Sequence, residues 1–437
     1  MQKLALDEEI LLQVEQPARY IGGEINSVKK DPDKVKLRFA MCFPDVYEIG
    51  MSHLGIQILY SMFNRREDVY CERVFSPWTD LDRILRERKI PLFTLESQRP
   101  VRECDFLGIT LQYEMCYTNI LQVLELSEIP LRAADRSDND PIVIGGGPCT
   151  YNPEPIAPFF DLFYMGEGEV IYDQLLDLYL AHKEAGGDRS SFLKKAAALP
   201  GIYVPSLYEP RYREDGTLSS FEPLCPEAPA SVRRLVMSVL DRADFIDTPL
   251  VPFIRVTQDR SVLELMRGCI RGCRFCQAGN VYRPQREHSV EYLKRYAEKL
   301  LKITGNEEIS LSSLSSSDYS RLQEFLEYLI QYTKERKINI SLPSLRIDAF
   351  SLDVMQRIQD VKKSSLTFAP EAGTQRLRDV INKGITEEDI MRGVSSAFHG
   401  GWTKVKFYIM LGLPTETEED RKGIPDLCER VADLFYD

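Results

Sequence analysis

The sequence predicts an α/β protein in two parts, each built around a mostly parallel sheet, with a β-hairpin and linker between them. Three observations predict this. Strand-like apolar runs alternate with helix-like stretches in residues 34–197 and again in 256–437. The stretch 198–252 between them carries eight prolines and an Asp215-Gly216 pair, the signal of a tight turn joining two strands. Charge divides the same way: residues 256–437 hold 27 basic against 27 acidic side chains, so the net −12 comes entirely from the 28 against 40 ahead of them. An acidic front part repels a polyanion, whereas the neutral rear part leaves nucleic-acid binding open.

Composition removes several classes. At 437 residues and 43% hydrophobic content the chain can bury full cores. It contains no apolar run near the ~18 residues a bilayer span needs, so no membrane association is expected. The first thirty residues include Asp7, Glu8 and Glu9 and lack the basic stretch, apolar run and cleavage site of a secretory signal. The expected location is the cytoplasm.

The elements follow in order. After an N-terminal arm (1–33), KVKLRFAMCFP (34–44) reads as a strand ended by Pro44, and MSHLGIQILYSMF (51–63) has helical spacing. The pattern repeats through FLGITLQY (106–113), NILQVLELS, PIVIGGG (141–147), FDLFYMGEGE (160–169) and VIYDQLLDLYLAHKEA. Near-continuous apolar strands alternating with helices imply a doubly wound, Rossmann-like domain over 34–197. Residues 198–255 form the hairpin and linker. From 256 onward, strands at VLELMRGC, EISLSSLSS, INISLPSLRID, SSLTFAPEAG and KVKFYIMLGLP alternate with helices, the last of them beginning at Glu418. Five βα units with right-handed crossovers make most of a barrel wall. The chain stops inside the last helical pattern, so the expectation is a partial barrel truncated before its final strand.

Ten cysteines without a secretory signal read as thiols or metal ligands, not disulfides. Seven are scattered. Cys269, Cys273 and Cys276 stand in ELMRGCIRGCRFCQAGNVYRP directly after a strand, where α/β folds place their sites. Three thiolates with no fourth cysteine or histidine beside them can hold three corners of a cubane iron–sulfur cluster, which leaves the fourth iron open. A structural zinc normally closes with four ligands, and His288 lies outside finger-like spacing. Arg267, Arg271, Arg274, Arg283 and Arg286 face only Glu264 and Glu287 in this window, a basic setting that favours thiolates and an anionic cluster.

This CxxxCxxC arrangement in a partial βα barrel resembles the radical S-adenosylmethionine (radical SAM) superfamily. The resemblance implies a 4Fe-4S cluster on Cys269, Cys273 and Cys276 and S-adenosylmethionine (SAM) chelated at the open iron. It further implies one-electron cleavage to a 5′-deoxyadenosyl radical, with a reductant such as flavodoxin or ferredoxin. By the same resemblance Phe275 flanks the adenine, Arg346 and Glu371 contact the ribose and methionyl group, and Gly412 lies beside the adenine. The second strand ends in LSSLSSSD where many members carry Gly-Gly-Glu, which leaves Ser313 and Ser315 as weak substitutes there. Each of these positions also has a structural reading: core Phe, paired Arg, capping Glu, turn Gly.

The segment GGGPCTYNPEPIAPFFDLFYMGEGE is similar to the end of a cobalamin-binding-like domain. In cobalamin domains a D-x-H-x-x-G loop supplies the cobalt-binding histidine. Here it reads Asp45-x-Tyr47-x-x-Gly50, and a neutral phenol is a poor cobalt ligand, so cobalamin is left without an axial His. His53 reads as a half-buried helix histidine. Gly145, Gly146 and Gly147 allow either close ligand approach or a tight turn. Cys42, Cys116 and Cys149 each follow a strand and could converge at one sheet edge, as in methylthiotransferases. The Cys-x-Asn motif of that family is absent, and scattered buried thiols are the plainer reading.

The expected function is therefore a radical SAM enzyme acting on an unknown substrate. Two alternatives keep the chemistry: a cobalamin-dependent methyltransferase, or a methylthiotransferase-like modification of RNA or protein. A third, of another class, is a non-catalytic iron–sulfur redox sensor or RNA-associated scaffold.

Overall fold

The computed structural model describes residues 5–242, 246, 248–342, 346–347 and 366–436. It falls into two compact units, Met1–Ser238 with Ala243–Asp259, and Val239–Arg242 with Arg260–Asp437.

The first unit is organised by one sheet. Its strands are β1 (Leu37–Phe43), β2 (Val69–Phe75), β3 (Phe106–Thr110), β4 (Ile142–Gly146), β5 (Leu162–Tyr164) and β6 (Ile202–Tyr203), in the order β2-β1-β3-β4-β5-β6. β1 to β5 are parallel and β6 is antiparallel. All seven residues of β1 are buried because alternate side chains enter different cores. Ala40 and Cys42 pack with helices Thr79–Arg88 and Tyr117–Leu126. Leu37, Phe39, Met41 and Phe43 pack with helices Leu54–Asn64, Tyr172–Glu184 and Arg189–Ala197 on the other face. Such a 2-1-3-4-5 order reverses between β1 and β3, and doubly wound sheets bind ligands outside the carboxyl ends of the strands at that reversal.

Two expectations about this unit need adjusting. Leu6, Ile10, Val14 and Tyr20 of the N-terminal arm are buried within the first of those cores. The stretch read as hairpin and linker does hold a hairpin, β7 (Tyr208–Tyr212) with β8 (Leu218–Pro223), turning at Asp215 and at Gly216, whose φ is +79°. It also supplies β6 and isolated bridges from Leu235 to Gly166 and from Val251 to Ile25. A two-residue strand in a proline-rich stretch has too little pattern to read in advance.

The second unit holds β9 (Ser261–Glu264), β10 (Met266–Arg267), β11 (Arg286–Glu287), β12 (Glu308–Ser312), β13 (Asn339–Ser341), β14 (Leu366–Glu371) and β15 (Val405–Ile409). β9, β12 and β13 form a parallel sheet, β14 and β15 a parallel pair, and β10 and β11 a short antiparallel pair. The helix expected before β14 lies within 348–365, outside the described residues. Helix Val290–Thr304 shows how local sequence sets these elements. Ser289 caps it by accepting the Tyr292 N–H at 3.2 Å, Gly305 ends it at φ +68°, and Val290, Leu293, Ala297, Leu300 and Leu301 form one buried stripe. No helix among the described residues is long and apolar enough to cross a membrane.

Candidate cluster site

The cysteine loop leaves β10 through Gly268 and returns to the sheet at β11. Gly268 has φ +87°, and a Cβ there would stand 2.5 Å from the Tyr282 carbonyl oxygen and 2.6 Å from that of Pro284, so a side chain is excluded twice over. Cys269, Cys273 and Cys276 are all free and half-buried. Main-chain amides already point at two sulfurs: the Arg271 N–H to Cys269 Sγ and the Gly279 N–H to Cys276 Sγ, each at 3.4 Å. Burial pushes the Cys273 thiol up, Lys383 and Arg346 pull it down, and neighbouring Cys276 and Cys269 push it further up.

The five arginines do less for the sulfurs than their number suggests. Arg267 bonds Glu264 at 3.1 Å, and Arg271 is held by both oxygens of Asp318, at 2.9 and 2.5 Å. Arg274 and Arg283 donate to the carbonyls of Val380 and Arg271, and Arg286 to those of Pro284 and Tyr282. They knit the loop. His288 is buried with Nδ1 3.1 Å from Asp241 and Nε2 3.9 Å from Glu264, so its ring is engaged by carboxylates. Burial alone would raise Glu264, but Arg267 and His288 outweigh it and hold the carboxyl below its usual range.

Among the described residues no three His, Cys, Asp or Glu side chains gather where a single metal ion would sit. A cubane takes each thiolate on a different iron, so three half-buried thiols spread along one loop, with the nearest histidine engaged elsewhere, fit that group by donor chemistry.

The other sequence-derived positions divide into two sets. Glu371 ends β14 at φ +68°, beside a register shift against β15 between Phe368 and Glu371. A bulge of this kind re-aims a side chain, here to Lys383 Nζ at 3.0 Å. Lys383 Nζ is also 5.7 Å from the Phe275 ring centroid, and Arg346 donates to the Lys383 and Gly384 carbonyls at 3.4 Å. Phe275, Arg346 and Glu371 thus meet at Lys383, a residue with no motif to announce it, whose charge is also felt at Cys273. Ser313 bonds Ser316 at 2.9 Å, while Ser315 is buried beside Asp318, whose carboxyl burial alone would raise but Arg271 and the Ser315 hydroxyl together hold below the usual range. Gly412 has φ +78° with open space where a Cβ would be, and its N–H donates to Glu416 at 3.0 Å.

The first unit treats its ligand-like positions differently. Tyr47 is buried, and its hydroxyl donates to Glu24 at 2.9 Å, which leaves no free phenol at the place of the cobalt ligand. His53 caps helix Leu54–Asn64 by accepting the Ile56 N–H at 3.2 Å, and burial lowers its pKa to about 4. Gly145 and Gly147 are required by packing, against Phe163 and against the Leu111 carbonyl, whereas a Cβ at Gly146 would make only an ordinary contact, 3.9 Å from the Tyr172 hydroxyl, and Thr110 Oγ1 at the end of β3 is buried without a partner. That orphaned hydroxyl fits a ligand at the carboxyl edge of the sheet, but gives it no metal-binding side chain. Cys116 lies near enough to Cys42 and Cys149 for the thiols to influence one another, and burial pushes all three up, Cys149 to about 11.

A doubly wound unit and a parallel-stranded unit with a three-thiol loop define a two-domain α/β protein with a candidate cluster site at a strand end. Family profiles agree: "Radical SAM proteins, N-terminal" matches residues 55–205 and "Radical SAM superfamily" matches 263–428. The chain belongs to the radical SAM superfamily and is an enzyme. It is 29% identical over 402 residues to the uncharacterized protein MJ0966 of Methanocaldococcus jannaschii, covering 90% of this chain and 73% of that one. It is 26% identical over 324 residues to the uncharacterized methyltransferase PH0819 of Pyrococcus horikoshii, covering 70% of this chain and 61% of that one. In fold it is similar to the radical SAM methyltransferase TsrM from Kitasatospora setae with cobalamin and a [4Fe-4S] cluster bound, at TM-score 0.57 and 14% identity, covering 90% of this chain and 73% of that one.

Proposed function

We propose that this enzyme cleaves SAM reductively at a 4Fe-4S cluster held by Cys269, Cys273 and Cys276, and uses the 5′-deoxyadenosyl radical to take a hydrogen atom from its substrate. The observation that carries the reading is the three-thiol loop, together with the engagement of the histidine nearest to it in sequence, His288, by Asp241 and Glu264. When bound, the cluster passes one electron from a ferredoxin- or flavodoxin-type reductant to SAM, whose C5′–S bond breaks to leave methionine and the radical. The chain's own residues bind and orient. Glu371 and Arg346 are assigned to the methionyl and ribose groups, the exposed Phe275 ring to the adenine, and Gly412 to close main-chain approach.

A second reading, cobalamin-assisted methyl transfer, is favoured by the sheet reversal and the orphaned Thr110 hydroxyl in the first unit. One experiment separates these. The full chain, reconstituted anaerobically with iron and sulfide, is assayed for iron, sulfide and cobalt, then for SAM products with dithionite. About four irons per chain with 5′-deoxyadenosine supports the main reading. Stoichiometric cobalamin with S-adenosylhomocysteine supports the second, roughly twice the iron supports the methylthiotransferase type, and a cluster without SAM cleavage defeats the proposal.

A further inference from the structure

A second segment closes on the cysteine loop. The turn 380–384, at the end of helix Gln375–Val380, meets it along the main chain. The Arg274 N–H donates to the Ile381 carbonyl at 2.9 Å, the Arg274 guanidinium donates to the Val380 carbonyl, and the Asn382 side-chain amide donates to the Gly272 carbonyl at 2.8 Å. Asn382 and Gly384 both have left-handed backbone, φ +52° and +63°, so the chain reverses around Lys383. Its ammonium lies 3.0 Å from Glu371 and over the Phe275 ring, with the side chain only 12% exposed. An ammonium held this way is desolvated, which strengthens both the ion pair and the cation–π contact.

We propose that Lys383 is a positioning residue of the cluster site, which fixes the Glu371 carboxylate against the cysteine loop and sets a positive charge beside the seat of the cluster. The inference rests on the reading that Cys269, Cys273 and Cys276 hold that cluster. A cation in a partly dry pocket favours the more negative, reduced state of a nearby cluster, and so raises its reduction potential. Arginine keeps the charge at this position while methionine keeps only the stem.

The test uses full-length wild type, Lys383→Met and Lys383→Arg, each reconstituted with iron and sulfide. Iron per chain is measured, then the midpoint potential by electron paramagnetic resonance during a redox titration, with and without SAM. We expect Lys383→Met to keep wild-type iron, to titrate at a more negative potential and to lose part of the SAM-induced spectral change, and Lys383→Arg to restore the potential. Wild-type potential and SAM response in Lys383→Met overturn the inference. Should Lys383→Met lose its iron, retention of iron and potential by Lys383→Arg supports the role of charge, and loss by both variants overturns it. A wild-type protein that assembles no cluster fails at the earlier step, the reading on which the inference stands, and overturns both.

Discussion

The two units meet their buried charges in opposite ways. In the first, Tyr47 hydrogen bonds Glu24, Glu24 pairs with Arg73 at 2.6 Å, and Arg73 pairs with Glu96 at 2.6 Å, all within the interior. Each member of that network has a protein partner, and the position where a metal ligand would be sought is closed. In the second, the thiols are half-buried and the arginines around them are satisfied by carbonyls and carboxylates. A completed network maintains a fold, whereas donors left accessible on a braced loop are suited to a ligand.

The sharpest way to break this contrast is in the second unit. Cys273→Ala or Cys276→Ala should abolish iron incorporation on reconstitution while leaving the circular dichroism spectrum unchanged, because the thiols form no part of a core. The mirror experiment belongs to the first unit. Arg73→Met leaves Glu24 and Glu96 facing each other without a counter-charge, and should cost about 3–5 kcal/mol in urea unfolding with no loss of cysteine-bound iron in the folded fraction.

A smaller effect sharpens the comparison through pH. Burial pushes Glu96 up to about 7, against the pull of Arg73 and with help from Glu24. Unfolded, it titrates near ~4.3, so between these values the folded unit holds a proton the unfolded chain has released. Stability contributed by Glu96 therefore declines as pH rises through that window. Glu24, held below the usual range once Arg73 outweighs its burial, contributes in the opposite sense, with stability lost as pH falls through its own lower range. Urea midpoints measured across the window should fall with pH in wild type and flatten in Glu96→Gln. The least disturbance is Tyr47→Phe, which removes one hydrogen bond from Glu24 and should cost about 1 kcal/mol. Tyr47→His, in turn, should add no cobalt-bound imidazole signal to a cobalamin-loaded sample, since the position is enclosed.

Much of this was legible in advance for a physical reason. Strands β1, β3 and β4 are largely apolar runs, β1 stopped by Pro44 and β4 by its glycines, and continuous burial favours that composition. The cysteine loop was legible because three thiols in eight residues have few other uses. Side-chain accounting was not. Five arginines counted as free positive charge are engaged by neighbouring groups, and carbonyl acceptors do not show in a charge count. Glu371 was placed at a strand end, but its left-handed backbone follows from the irregular pairing with β15. Lys383 reaches Phe275 only after a turn that two other residues create, so spacing could not reveal it.

Gly268 carries one more consequence. With the carbonyls of Tyr282 and Pro284 standing 2.5 and 2.6 Å from where its Cβ would lie, any substitution at 268 forces the chain to move where it enters the loop. Exchange of the exposed Ile270 side chain, by contrast, leaves that entry untouched, so redesign of the loop's outer face is best begun there.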